Sequence, residues 1–419
     1  RITFTNEKSL YSFISKVMLE EEIDFLAGPV ISHWHAIGVD ALAYSIFQHE
    51  NRKPSGVIIV VAHPQGGLLI TEADFVCRNF ATVKFCFIDL ELNAQRPMVY
   101  KGFQFLKKTI NTTLAVRNAT RQDSKERKKI YLASVLRPNV FLLQLLRNMH
   151  LARKYCPVFA LIDEGAGTYM PRRVWRLIQK FAVQQRYPGY PKVMQLRAEV
   201  IGGLARIVVS FLTIMATRYM NVENRFLFTL EENKLIVNKA IANCYRLVID
   251  KNKKVSKKAK SAKPIALILT QPFSEEGQIP LGQETSMVKA VIHILIETGF
   301  DVVVKPHPRE TIGKYTAVLA EFEDGLVKLI QQKMPVENLF AGLPLACVIG
   351  YASTALLTAK VLYNIPAITI IDILNNQGGA SLIRAQGDYF KKLAKELVYN
   401  IKVLPDLENV LSAIKADEK

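Results

Sequence analysis

A parallel α/β architecture in two Rossmann-like αβα domains is what this sequence predicts, and three observations carry it. Short apolar runs rich in Val and Ile alternate with stretches of helical spacing, the pattern of βαβ units. The alternation occurs twice, on either side of segment 251–263, which has seven lysines and no acid. The chain has 419 residues, half of them hydrophobic, which is more than one ordinary core holds and enough for two. The domains are expected to face each other across a cleft, with ligands at the carboxyl ends of the strands.

The elements follow in order. Residues 25–31 read as a strand and 38–51 as a helix. Residues 56–62 (GVIIVVA) form a strand on β-branched content, and 83–89, 130–136 and 158–162 are further strands. Residues 140–153 have helical spacing, with Asn139 placed to cap the helix. After the lysine-rich segment, strands are expected at 264–270, 301–305, 346–350 and 367–371. Helices are expected at 286–298, 337–341 and 355–363, and 389–419 reads as mostly helical. The domains are therefore placed at 1–250 and 264–385, with 251–263 as linker and 386–419 as a helical segment packing back on the first domain.

Charge narrows the partners. Between Tyr100 and Arg218 there are 22 Lys and Arg against five acids, so this stretch holds 17 of the chain's +18. A basic face of that size concentrates anions and speeds their capture, which fits nucleic acid, anionic lipid or an acidic polysaccharide. Arg172 and Arg173 lie in it and are candidate acceptor contacts. Its basic residues lack a regular aromatic platform, so no nucleic-acid partner is expected. Residues 200–220 are apolar but broken by Gly202, Gly203, Arg206 and Arg218. Two readings stand for them: a buried helix, or an amphipathic segment lying on a membrane within the basic region 172–220. The five cysteines are widely spaced, as expected of free thiols in a reducing compartment. No CxxC or HExxH spacing occurs, so no metal site is expected. The first residue is Arg1 rather than Met, which suggests a trimmed start.

Two loops stand out chemically. The strand 158–162 delivers Asp163 and Glu164 onto a turn opened by Gly165 and Gly167. A carboxylate at a strand's carboxyl end can take a proton from an attacking hydroxyl. Adjacent carboxylates rarely do the same work, so one is expected to face the ligand while the other supports the loop. The strand 301–305 delivers His307 between Pro306 and Pro308, beside Lys305 and Arg309. Prolines stiffen the turn, and an imidazole among cations suits a departing phosphate. At 350–355, Gly350 ends a strand and Ser353 or Thr354 opens a helix, whose first N–H groups and hydroxyls form an anion site. The loop with Thr270 and Gln271 is placed to hold a base or ribose. In the first domain His33, His35 and His63 stand at strand ends, as acceptor contacts or as satisfied structural histidines.

Asp163-Glu164-Gly165 followed by His307-Pro308 resembles the paired signature of bacterial sialyltransferases. Leu269-Thr-Gln-Pro272 and Ser353-Thr354 extend the likeness in the same order, and the capsule polysialyltransferases are the nearest group. The resemblance implies a glycosyltransferase B-type fold, CMP-sialic acid as donor, inversion and no essential metal or other cofactor. It implies Glu164 as general base with Asp163 as fallback, and His307 on the donor phosphate. Lys305, Pro308, Ser353, Thr354, Gly350, Thr270 and Gln271 would then serve the donor. A sialylated polysaccharide would be the acceptor, and the enzyme would sit in the cytoplasm, peripheral to the inner face of the bacterial membrane. A polymerase of an anionic sugar benefits from a basic groove more than a monosialyltransferase of lipooligosaccharide does. A CDP-glycerol-type polymerase and a non-catalytic polyanion binder are the other readings. The binder would tolerate Glu164→Gln and His307→Ala.

Overall fold

The fold is that of a computed structural model, which describes residues 2–4, 7–62, 70–75, 78–89, 128–135, 155–171, 221–231, 234–251, 263–376 (without 312, 324, 332 and 333) and 381–417, with residues 174, 177, 200 and 207. The expected helix 140–153, the core of the lysine-rich segment and most of the basic stretch lie outside the described residues.

The chain divides into two compact units, the first made of 1–164 with 182–227 and the second of 165–181 with 228–419. In the first unit the elements are β1 (Ile2–Phe4), α1 (Glu7–Glu20), β2 (Phe25–Val30), α2 (His33–Glu50), β3 (Ser55–Ala62), β4 (Thr82–Asp89), β5 (Lys128–Val135), β6 (Tyr155–Ile162) and β7 (Asn221–Asn224). They form one sheet in the order β1-β4-β3-β2-β5-β6-β7, parallel at every pairing. The apolar runs are unbroken because both sheet faces are covered. Val57, Ile59 and Val61 point to the face holding Leu10, Ile14 and Met18 of α1. Ile58 and Val60 point to the other, with Val39, Leu42 and Ile46 of α2. Helix α2 starts five residues before the expected Gly38, because Ser32 caps it by accepting from His35 N at 3.2 Å.

The second unit opens with an antiparallel hairpin, β8 (Phe228–Glu231) and β9 (Lys234–Val237). It continues with α3 (Lys239–Lys251), β10 (Ile265–Leu269), α4 (Leu281–Glu297), β11 (Asp301–Lys305), α5 (Thr316–Leu319), β12 (Val327–Leu329), α6 (Glu337–Gly342), β13 (Leu345–Gly350), α7 (Thr354–Tyr363), β14 (Ala367–Thr369), α8 (Ile371–Asn376), α9 (Ser381–Ala394), β15 (Tyr399–Asn400) and α10 (Leu404–Asp417). Its parallel sheet runs β12-β11-β10-β13-β14-β15. Counted from β10, that is the doubly wound order 3-2-1-4-5-6, and β2 to β7 of the first sheet repeat it. In each sheet the chain reverses direction beside the first strand of that order. Two such units are the elements of the B-type glycosyltransferase fold.

The boundaries differ from those expected. The division falls at Leu227, ahead of the lysine-rich segment, which lies inside the second unit between α3 and β10. The reason is packing: Ile241, Tyr245, Val248 and Ile249 of α3 are buried, and the helix lies against α6 and α7. Segment 386–419 belongs to the second unit as well. Helix α10 lies on α4 and β13, with Leu407, Leu411 and Ile414 in that core. Strand β14 ends at Thr369, and helix α8 takes over at Ile371.

Candidate active site

In the first unit, β6 ends at Ile162 and sets the carboxylate pair at the sheet's carboxyl end. Asp163 is 1% exposed, and its Oδ2 accepts from the backbone N–H of Leu227, just past β7. It thus ties two strand ends together. Glu164 is half-buried, and burial raises its carboxyl above the usual carboxylate range. Of the histidines at the start of α2, His33 holds Asp74 through Nε2 at 3.2 Å. His35 is 3% exposed, its Nδ1 lies 3.5 Å from Ile31 N, and burial pushes its pKa down to about 4. Its ring is enclosed at the helix start, which fits the structural reading of His35. His63, Arg172 and Arg173 lie outside the described residues.

In the second unit the switch point lies between β10 and β13, where an open sheet leaves a crevice for ligand. Gly350 ends β13 so close to β10 that a Cβ there would stand 3.3 Å from Leu269 O. Beyond it Ser353 caps α7, accepting from Ala355 N at 3.2 Å. Its hydroxyl proton is left to donate elsewhere, at the positive end of the helix dipole. From the adjacent strand β11 comes His307, half-buried. Burial, then the charges of Arg309 and Lys305, push its pKa down to about 4 against the pull of Glu275. His307 is therefore neutral near pH 7. Its Nδ1 accepts from Arg309 N at 3.2 Å, which leaves the proton on Nε2 as a donor.

His307, Arg309, Gln271, Glu276, Ala352 and Tyr389 line one cavity of about 160 Å³. Gln271 thus shares a cavity with His307. Thr270 and Lys305 do not reach the cavity. Thr270 is 3% exposed and donates to Glu310, while Lys305 is 6% exposed and donates to Pro306 O at 3.2 Å. Burial also lowers the Lys305 pKa. Both hydrogen-bond within the loops that flank the cavity. Pro308 is half-buried beside His307 and is not among the cavity's lining residues.

Beneath these loops lies an ion cluster, buried except at Glu275. Lys314 Nζ is 2.7 Å from Glu284, 2.8 Å from Glu275 and 3.1 Å from Glu310. Among the described residues these three carboxylates are the one group spaced to hold a cation, and the ammonium of Lys314 stands among them.

The turn after the carboxylate pair belongs to the second unit. Gly165 has φ +100°, and a Cβ on it would lie 2.7 Å from Thr354 Oγ1, so the turn rests on the start of α7. Only glycine fits both the conformation and the space. Tyr169 holds the far side of the turn, its hydroxyl accepting from Phe228 N at 3.0 Å. Gly165→Ala is expected to destabilise the fold by about 1–3 kcal/mol from strain and crowding together. Urea unfolding would measure it, and an unchanged midpoint would contradict the contact.

A family model described as alpha-2,8-polysialyltransferase matches residues 29–372, which includes the acidic turn, the His-Pro loop and the α7 cap. The chain belongs to the alpha-2,8-polysialyltransferase family. It is accordingly a sialyltransferase, a glycosyltransferase taking a nucleotide-sugar donor and a glycan acceptor. No curated protein sequence matches the chain. Among solved structures it is similar to an alpha/beta-galactoside alpha-2,3-sialyltransferase from Photobacterium phosphoreum, at 14% identity and TM-score 0.43, covering 91% of this chain and 98% of that one. Another is the Escherichia coli heptosyltransferase WaaC with ADP, at 13% identity and TM-score 0.40, covering 94% and 99%. A third is the UDP-GlcNAc 2-epimerase of Methanocaldococcus jannaschii, at 10% identity and TM-score 0.43, covering 93% and 92%. Transferases and an epimerase stand side by side there, so likeness at this level says nothing about substrate.

The polysialyltransferase-family site also contains residues that sequence patterns did not single out. Glu310 and Lys314 sit four residues apart just after the His-Pro loop, and only their burial makes them notable. Gln386, Tyr389 and Phe390 of α9 line the cavity from a segment read simply as helical. Arg309 reaches Glu276 at 2.7 Å across its rim. Among the described residues no helix is long and apolar enough to cross a membrane.

Proposed function

We propose that this chain transfers sialic acid from CMP-sialic acid to the end of a sialylated glycan with inversion, forming α-2,8 linkages and lengthening a capsular polysialic acid. Glu164 takes the proton of the acceptor hydroxyl as its oxygen attacks the donor's anomeric carbon. The bond from that carbon to the phosphate oxygen breaks, and CMP leaves with the electron pair. His307 donates its Nε2–H to the departing phosphate, and the α7 N-terminus with the Ser353 hydroxyl receives the remaining charge. Asp163 supports rather than reacts, because its buried oxygen is taken up by Leu227 N. Gln271 and the cavity beside His307 hold the nucleotide.

The observation that carries this reading is the state of two loops, one in each unit, in a chain of this family. A raised carboxylate at the end of β6 and a neutral, donor-presenting histidine at the end of β11 have the protonation states that the two halves of the transfer need. The net 17 positive charges between Tyr100 and Arg218 support a growing polyanion as the acceptor and peripheral contact with an anionic membrane.

The test is CMP release from CMP-sialic acid with and without a short oligosialic acid, with product length followed by chromatography. Acceptor-dependent release with lengthening products supports the proposal. Release with single additions only would point to a monosialyltransferase, and no turnover on any sialylated acceptor would remove the reading. Oligosialic acid binding is expected to weaken steeply as salt rises, since the contacts proposed are ionic. Turnover is expected to survive EDTA.

A further inference from the structure

The two loops that build the donor side of the second unit are fastened to each other by Glu310. Its Oε2 accepts both from His307 N, in the loop after β11, and from the Thr270 hydroxyl, at the end of β10. Its Oε1 accepts from Tyr315 Oη at 2.7 Å and from Lys314 Nζ at 3.1 Å. Lys314, 2% exposed in its side chain, extends the connection to Glu284 and Glu275. Those two in turn accept from the backbone N–H groups of Ser274 at 3.0 Å and Thr311 at 2.9 Å. Every segment bearing Gln271 or His307 is thus hydrogen-bonded to one network, buried except at Glu275.

The geometry of that network has a specific consequence for His307. The ring is aimed by two bonds on its own residue: Nδ1 receives Arg309 N, and the backbone N–H is held by Glu310. Releasing the second frees the peptide on which the ring turns. It also leaves a buried N–H without its acceptor.

We infer that Glu310, held by Lys314 and Tyr315, is a positioning residue that fixes the His307 ring for contact with the donor phosphate. This rests on the role proposed for His307 and extends it to a residue that does not touch the ligand. Removing Lys314 would strand buried carboxylates and risk the fold, so Glu310 and Tyr315 are the residues to change.

The experiment is CMP titration by calorimetry in four proteins: wild type, Glu310→Gln, His307→Ala and the double variant. Glu310→Gln is expected to weaken CMP about tenfold in the wild-type background and to have no further effect once His307 is Ala. Equal weakening in both backgrounds would overturn the inference, because a general loosening of the fold does not depend on His307. Unchanged CMP affinity in His307→Ala itself would remove the phosphate contact and the inference with it, a result separate from the first. If Glu310→Gln does not fold, Tyr315→Phe deletes only a hydroxyl from the same carboxylate, and the same comparison applies, with a loss of about threefold expected.

Discussion

Glu164→Gln is expected to lower acceptor-dependent CMP release about a thousandfold while CMP affinity stays unchanged, since a general base typically contributes 10²–10⁴. The substitution keeps the size and removes the proton acceptor. Its pH dependence separates a base from a bystander. Burial raises the Glu164 carboxyl above its ordinary value of 4.5, so the acid limb of kcat/KM should lie above that value and disappear in the variant. The stability effect has the opposite sign. A carboxyl whose pKa is raised on folding stabilises the fold below its unfolded pKa and loses that contribution as pH rises through the folded one. At neutral pH the ionised Glu164 is therefore a cost, and Glu164→Gln should melt at or above the wild-type temperature. An inactive variant of equal or higher stability is the expected pair of results. A variant keeping more than about a tenth of the rate would remove Glu164 from this role.

His307→Ala is expected to reduce turnover about 10²–10³-fold, the usual effect of deleting one donor to a charge that develops during reaction. Donor affinity should fall with it. His307→Gln presents an amide N–H near the place of Nε2 and should recover part of the loss, whereas a purely electrostatic contribution would not be restored by a neutral amide. Because burial and the neighbouring cations push the His307 pKa down from 6.5 to about 4, the free enzyme should show no inflection from this residue between pH 6 and pH 8. A depressed histidine pKa stabilises the fold above the unfolded value, and that contribution is lost as pH falls toward about 4. His35, pushed down to about 4 by burial, contributes in the same direction. Acid unfolding of the wild type should therefore begin below pH 6.5 and be less steep in His307→Ala. An inflection near 6.5 that vanishes in His307→Ala would mean that the ring is charged in the working enzyme.

Much of this fold is legible in the sequence because parallel strands covered on both faces must be apolar throughout. Residues 56–62 and 301–305 could hardly be anything else. The loops are legible for a related reason, since prolines around His307 restrict the backbone and glycines after Glu164 mark a turn that other residues do not make. What could not be read depends on contacts distant in sequence. Which carboxylate of the pair supports the turn is decided by Leu227, 64 residues beyond Asp163. Glu284, Glu275 and Lys314 look like surface charges until packing brings them together. The sequence places hairpin β8–β9 and helix α3 with the first domain because composition changes at the lysines, whereas the packing changes at Leu227.

The route of the chain bears on how this protein can be taken apart. Residues 165–181 are built into the second unit although 182–227 return to the first, so the backbone passes between the units three times. No single cut yields both units whole. A fragment beginning at Phe228 would lack the turn that rests on Thr354, and a fragment ending at Leu227 would carry that turn with nothing to rest on. Chimaeras that exchange second units between members of this family should therefore carry 165–181 along with everything after Leu227.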